Sequence, residues 1–230
     1  MLYGTRHNTA YRQGLKQKIL STAIELFNER GVRAVKMDDI SNKLSISKRT
    51  LYEIYENKED LLFECVKNKF EDSEEALAKL AKESKTVMDI LINIYRLKVE
   101  GLKNVHPSFY TEVGKYPKIM AYLDEQNKSR QSQQVEFIKR GIREGYFRTD
   151  VNYDLVLQLF DVSNRYVFNN YTNMNCSMEQ LSYNLIFVFL RGFCTIEGVK
   201  ALDFFLENDE EMVRQRQSFT NNEIVQKDKS

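Results

Sequence analysis

Proline occurs twice and glycine nine times in 230 residues, and tryptophan is absent. So few turn-formers exclude an all-β sandwich, a collagen-like repeat and a linker-dominated chain. The three cysteines, Cys65, Cys176 and Cys194, are odd in number, far apart and without a CxxC pair, which excludes a disulfide framework and a zinc ribbon. Only two histidines are present, His7 near the start and His106 beside Pro107. They assemble neither a metal cluster nor a histidine-based triad, and no GxGxxG or Walker loop occurs. Paired acids such as Glu74 and Glu75, or Glu210 and Glu211, lie in charge-rich segments and read as solvent-facing. We therefore expect no enzyme, no metal and no cofactor. The most apolar run, 181–190, is interrupted by Ser182, Tyr183 and Asn184 and is far short of the ~20 residues a membrane span requires. With no basic-then-apolar leader, the expectation is a cytoplasmic chain with no membrane partner.

What is abundant points to helices. Hydrophobic residues make up 42% and charged residues 29%, enough for a sizeable core and a wet surface. The net charge of +1 hides an asymmetry: residues 1–50 hold ten Lys or Arg against four acids, and the remainder holds 24 against 29. A basic head on a mildly acidic body is the charge distribution of a nucleic-acid-binding protein.

Apolar residues Leu15, Ile19, Ala23, Leu26 and Phe27 recur at helical spacing and predict a helix over 12–30, stopped by Gly31 as a C′ residue. A short helix over 37–44 follows, with Asp38 and Asp39 at the positive end of its dipole. Only Ser45, Ile46 and Ser47 separate it from a helix over 48–55 capped by Ser47. Two short helices joined by a three-residue turn are a helix-turn-helix, whose second helix can enter the DNA major groove. Asn57 caps the next helix, to about residue 83. Further helices are predicted over 85–104, 108–113, 117–144, 153–171 and 177–206, the last begun by Ser177 with Gln180 at capping-box spacing. Beyond residue 208 the chain turns polar and reads as a disordered tail. The expected organisation is a head over 1–57, a helical body over 58–207 and a tail over 208–230.

The order Ser47, Lys48, Thr50, Leu51, Tyr52, Tyr55, Lys58, Glu59 and Leu61 resembles the DNA-binding head of the TetR family of bacterial repressors. The likeness covers about 50 residues well and the body only by helix number and length. It implies an all-α fold: an N-terminal three-helix DNA-binding domain followed by a larger helical domain for ligand binding and dimerisation. Leu51, Ile40, Leu44 and Ile46 would form the small core of the helix pair. Ser47, Thr50, Tyr52 and Lys58 carry donors suited to phosphates, and Lys48 and Arg49 are placed for base edges, Arg49 for guanine O6 and N7. With Lys36 and Ile54, these complete the expected DNA-contacting set. The chain departs from the family pattern at Lys36, at Ser41 and at Ser45, where a glycine is usual and a left-handed backbone would strain a serine. Arg6, His7 and Arg12 are candidates for a basic arm at the minor groove, against the plainer reading of a solvated terminus.

The same resemblance implies a small-molecule pocket in the body, for which the aromatics Tyr95, Phe109, Tyr122, Phe137 and Phe160 suit an apolar or amphipathic effector. It also implies a homodimer held by the last two long helices, with Leu181, Leu185, Val188, Phe189, Gly192 and Ile196 at the interface. Cys65 and Cys194 sit at apolar helical positions and read as core thiols. The expected function is a homodimeric repressor released from a palindromic double-stranded operator by a small molecule. The alternative is a helical small-molecule binding protein without DNA readout.

Overall fold

Leu15, Ile19, Ala23, Leu26 and Phe27 line one face of a helix, and that face is where the first core forms. In the computed structural model, which describes residues 3–103, 105–174, 176–210, 212–214 and 217, with side chains from residue 11 on and Phe168 excepted, this helix is α1 (Tyr3–Arg30). It starts well before the predicted residue 12 and ends at Gly31, whose φ of +79° is the left-handed C′ geometry. A Cβ there would lie 2.5 Å from Ser108 Oγ, so glycine is required by both backbone and space.

The following elements are α2 (Met37–Lys43), α3 (Lys48–Tyr52), α4 (Lys58–Glu83), α5 (Val87–Leu102), α6 (Ser108–Val113), α7 (Pro117–Ser129), α8 (Gln131–Arg143), α9 (Tyr153–Asn170), α10 (Met178–Phe193) and α11 (Ile196–Asn208). Among the described residues the only β feature is a single bridge between Phe147 and Cys194, so the all-α fold class holds.

The chain divides into two compact units. The first comprises 1–76, 104–126 and 168–172. Its core gathers Ile19, Leu26 and Phe27 of α1, Ile40 of α2, Leu51 of α3, Leu61 and Leu62 of α4, and Phe109, Val113 and Ile119. Leu44 and Ile46 pack against it partly buried. Cys65 belongs to this core, where burial pushes its thiol to about 12 and its Sγ faces the Leu20 carbonyl at 3.7 Å. It is a packing thiol, protonated at neutral pH.

The second unit comprises 77–103, 127–167 and 173–230. Tyr95, Val99, Phe147, Phe187, Leu190, Leu202 and Phe205 form its core. Edge-on ring contacts join Tyr95 to Phe187 (centroids 4.9 Å apart) and Phe147 to Phe193 (5.1 Å), the arrangement favoured by the ring quadrupole. Gly141 is obligatory, since a Cβ there would fall 2.0 Å from the Phe147 ring.

Two long helices expected from periodicity are broken. The predicted 117–144 helix ends at Ser129 and restarts at Gln131. Residues 127–134 are eight consecutive polar side chains, and with no apolar stripe to bury, nothing holds one continuous axis. The predicted 177–206 helix ends at Phe193, and Thr195 caps a new one by accepting from the Gly198 N–H. Thr195 donates its own N–H to the Tyr146 carbonyl at 2.9 Å and its hydroxyl to that of Gly145 at 2.7 Å, and these bonds pin the break. The recognition helix stops at Tyr52, three residues earlier than predicted. The polar tail begins later than residue 208. Asp209 caps a further turn by accepting from the Met212 N–H, and Met212 is buried in the second core. Residues 218–230, the rest of the expected tail, lie outside the described residues.

Candidate nucleic-acid interface

The geometry of the head is set by short caps. Ser47 ends the turn in an extended conformation, and its Oγ accepts the Thr50 N–H, closing the start of α3. The Thr50 hydroxyl lies 2.8 Å from the same oxygen. Leu51 points into the core with no exposed surface, which fixes the rotation of α3. Lys48, Arg49 and Tyr52 are consequently exposed, together with Ser47.

Ser45 adopts φ +52°, so the turn demands a left-handed residue and a serine occupies it at a steric cost. Ser41 is buried, its hydroxyl donating to the Asp38 carbonyl within α2. Lys36 is exposed at the N-cap of α2, its backbone N–H held by the Asp39 carboxylate at 2.7 Å.

The cations of the recognition helix are held by acids of the head. Lys48 Nζ lies 2.6 Å from Asp38 Oδ2 of α2, and Arg49 Nε lies 2.9 Å from Glu53 Oε1 one turn along. The Asp38 carboxylate pushes the Lys48 pKa above its ordinary value, through the hydrogen bond first and its charge second. The Arg49 side chain remains 88% exposed. Pairs so open to water are weak and exchangeable for phosphates or base edges.

Two of the expected DNA contacts are engaged within the head itself. Lys58 is turned inward: its Nζ donates to the carbonyls of Val32 and Val35, at 2.9 Å each. Its pKa is lowered by desolvation. Its first task is therefore to tie α4 to the loop after α1, with one donor left over. Ile54 is partly buried against the head core and carries no polar group, so packing accounts for it. Of the candidate arm, Arg12 lies within α1 and donates to the Glu53 carbonyl at 3.0 Å, which makes it a brace on the end of α3. The side chains of Arg6 and His7 lie outside the described residues.

The five effector-pocket candidates are divided between the units. Phe109 and Tyr122 belong to the first, where Phe109 meets Tyr110 and Tyr122 meets Phe63 and Phe70. Tyr95, Phe137 and Phe160 belong to the second, against Phe187, Phe147 and Phe189 respectively. The second unit has a cleft of about 790 Å³ whose wall includes Leu80, Met88, Ile92, Tyr146, Phe204 and Phe205. None of the five lines it.

Of the dimer candidates, Val188, Gly192 and Ile196 are exposed, while Leu181, Leu185 and Phe189 are half-buried. Sequence reading gave the 153–171 helix to the dimer but named none of its side chains: on α9, Leu155, Leu159, Val162 and Tyr166 are all at least half exposed. Their spacing of four, three and four residues places them on one helical face, and that periodicity was the available signal.

Comparison with known proteins agrees with this geometry. Residues 19–65 match the family model described as "Bacterial regulatory proteins, tetR family". The chain is 24% identical to the HTH-type transcriptional repressor KstR2 of Mycobacterium tuberculosis, over 60% of this chain and 72% of that one. Over 56 residues it is 43% identical to IcaR of Staphylococcus epidermidis, the negative transcriptional regulator of the biofilm operon icaADBC, covering 24% of this chain and 30% of that one. A putative transcriptional regulator from Saccharomonospora viridis, solved in complex with choline, shares the fold with a TM-score of 0.64 at 18% identity, over 80% of this chain and 99% of that one. No described helix is long and apolar enough to cross a membrane.

Proposed function

We propose that this chain, which belongs to the TetR family of bacterial regulatory proteins, is a homodimeric repressor that binds a palindromic operator and leaves it when a small molecule binds the helical body. The observation that carries the reading is the exposed face of α3: Ser47, Lys48, Arg49 and Tyr52 face outward from a helix locked by Leu51. Hydroxyls and exchangeable cations on one short helix suit phosphate positioning plus base readout in a major groove.

The dimer is supported by the apolar stripe of α9, with Val188 and Ile196 equally uncovered. Exposed apolar side chains at helical spacing favour a self-complementary two-fold interface. Two heads so joined would read half-sites separated by about 34–36 Å or a multiple of it. An effector that binds more tightly to a conformer whose heads do not match that spacing would release the DNA. The similar fold of a choline-bound regulator is consistent with a small-molecule site in the body.

Selection of bound duplexes from a random pool, followed by sequencing, tests this. An enriched inverted repeat is expected. Failure of a folded, ligand-stripped protein to enrich any sequence would favour a helical binding protein without DNA readout.

A further inference from the structure

The cleft of the second unit, about 790 Å³, has the size of sites that take drug-sized molecules. Its apolar lining comes from three helices: Leu80 of α4, Met88 and Ile92 of α5, and Phe204 of α11. Phe204 is 70% exposed, so the wall carries a large ring that the core does not cover.

The polar lining is acidic on balance. Glu83, Asp89 and Asp209 stand against Lys85 and Arg96. Arg96 is neutralised inside the cleft, with Nη2 on Asp209 Oδ2 and its Cζ 5.2 Å from the centroid of the Phe205 ring. α4 ends at Glu83 and α11 at Asn208, so the negative ends of two helix dipoles meet the single positive end of α5.

Two acceptors of this lining are unpaired. Asp89 gives Oδ2 to the Thr86 N–H at 2.9 Å, in the cap of α5, and its Oδ1 has no partner among the described residues. The Ser84 hydroxyl is buried from solvent and has no hydrogen-bond partner there either. Ser84 opens the three-residue link from α4 to α5, and Asp89 lies in the first turn after it. A buried hydroxyl without a partner is uncommon and costly to the fold.

We infer that this cleft binds an organic cation: a protonated amine on an aromatic or alkyl body, its ammonium on Asp89 Oδ1 and the Ser84 hydroxyl, its body on Phe204 and the aliphatic side chains. This rests on the effector-regulated reading of the body and specifies where the effector binds and which charge it carries. Both acceptors call for an N–H donor, which a protonated amine has and a quaternary ammonium lacks. The open ring of Phe204 adds a cation–π surface. An anionic ligand would have to displace Asp209 from Arg96 and face the remaining acids.

The test uses three dyes with one fluorophore and different heads. Dansylcadaverine carries a primary ammonium, its N-acetyl derivative is neutral, and dansyl-aminohexanoate ends in a carboxylate. Fluorescence titrations are made on the full-length protein and its Asp89→Asn, Ser84→Ala and Phe204→Ala variants, each checked for cooperative thermal unfolding. Asparagine keeps an oxygen for the Thr86 N–H, so the cap of α5 is retained. The wild type is expected to bind the amine about tenfold or more tighter than the neutral dye, and the carboxylate weakest. Asp89→Asn is expected to bring the amine down to the neutral dye, Ser84→Ala to weaken the amine alone by several-fold, and Phe204→Ala to weaken all three. Equal wild-type affinity for amine and neutral dye, or a preference for the amine that survives Asp89→Asn, would overturn the assignment. Should Asp89→Asn not unfold cooperatively, Ser84→Ala decides, since it removes a group without a partner, and unchanged amine affinity there would equally overturn it. The titrations require no DNA, so their failure leaves the operator-binding reading standing, and failure to select an operator leaves them interpretable.

Discussion

Lys48 at the start of the recognition helix is held by Asp38 of the preceding helix, with 2.6 Å between Nζ and Oδ2. The pair spans the turn that joins α2 to α3, so the first cation of the reading surface is positioned by the helix behind it. Replacing Asp38 with Asn removes a negative charge from the surface proposed to face phosphates. Affinity for random duplex DNA at low salt is expected to rise several-fold, with a smaller gain for the operator and hence lower discrimination. Anisotropy titrations of the two duplexes check this, and unchanged discrimination would argue that Asp38 has no part in placing Lys48.

Ser45, with φ +52°, is a residue whose substitution should improve the fold. Ser45→Gly relieves the left-handed strain of about 1–2 kcal/mol but increases the freedom of the unfolded chain by about 0.5–1 kcal/mol. A net gain of under about 1 kcal/mol is expected, seen as a small rise in Tm with operator affinity intact. A fall in Tm would mean that the serine hydroxyl contributes something the backbone geometry does not reveal.

Lys58 gives a prediction opposite to a surface phosphate contact. Lys58→Met strips donors from the Val32 and Val35 carbonyls and is expected to destabilise the protein by about 1–3 kcal/mol. A purely phosphate-binding role would instead lower DNA affinity with stability unaltered, and denaturant titration separates the two.

Much of this head was legible in the sequence because its signals are local. Gly31, Ser47 and Asn57 act as cap residues in the structure, since each cap depends on a few neighbouring residues. The strain at Ser45 was readable for the same reason. The break at Thr195 was not, because it is held by the Gly145 and Tyr146 carbonyls some fifty residues away. Lys58 was not legible in the same way: a lysine suggests surface, and only the packed chain shows this one tied to the Val32 and Val35 carbonyls. The cleft beside α5 and α11 was beyond reach, since its wall joins residues 80 to 209.

Lys98, half-buried in α5, makes stability depend on alkaline pH. Desolvation holds its folded-state pKa below the ordinary lysine value of 10.5, so between the two values the unfolded chain holds more protons. Stability therefore rises with pH across that window. The Tm of the wild type relative to Lys98→Met is expected to climb from neutral pH toward pH ~10. A constant difference would show that the ammonium is hydrated.

Arg49 carries the central claim, that the exposed face of α3 reads base sequence. The direct measurement is an anisotropy titration of wild type and Arg49→Ala against the selected operator and a scrambled duplex of equal length, with dimerisation followed by sedimentation. Loss of about ten- to a hundredfold in operator affinity, with scrambled-duplex binding only slightly weakened and the association state unchanged, is the predicted result. Undiminished operator affinity in Arg49→Ala would contradict the account.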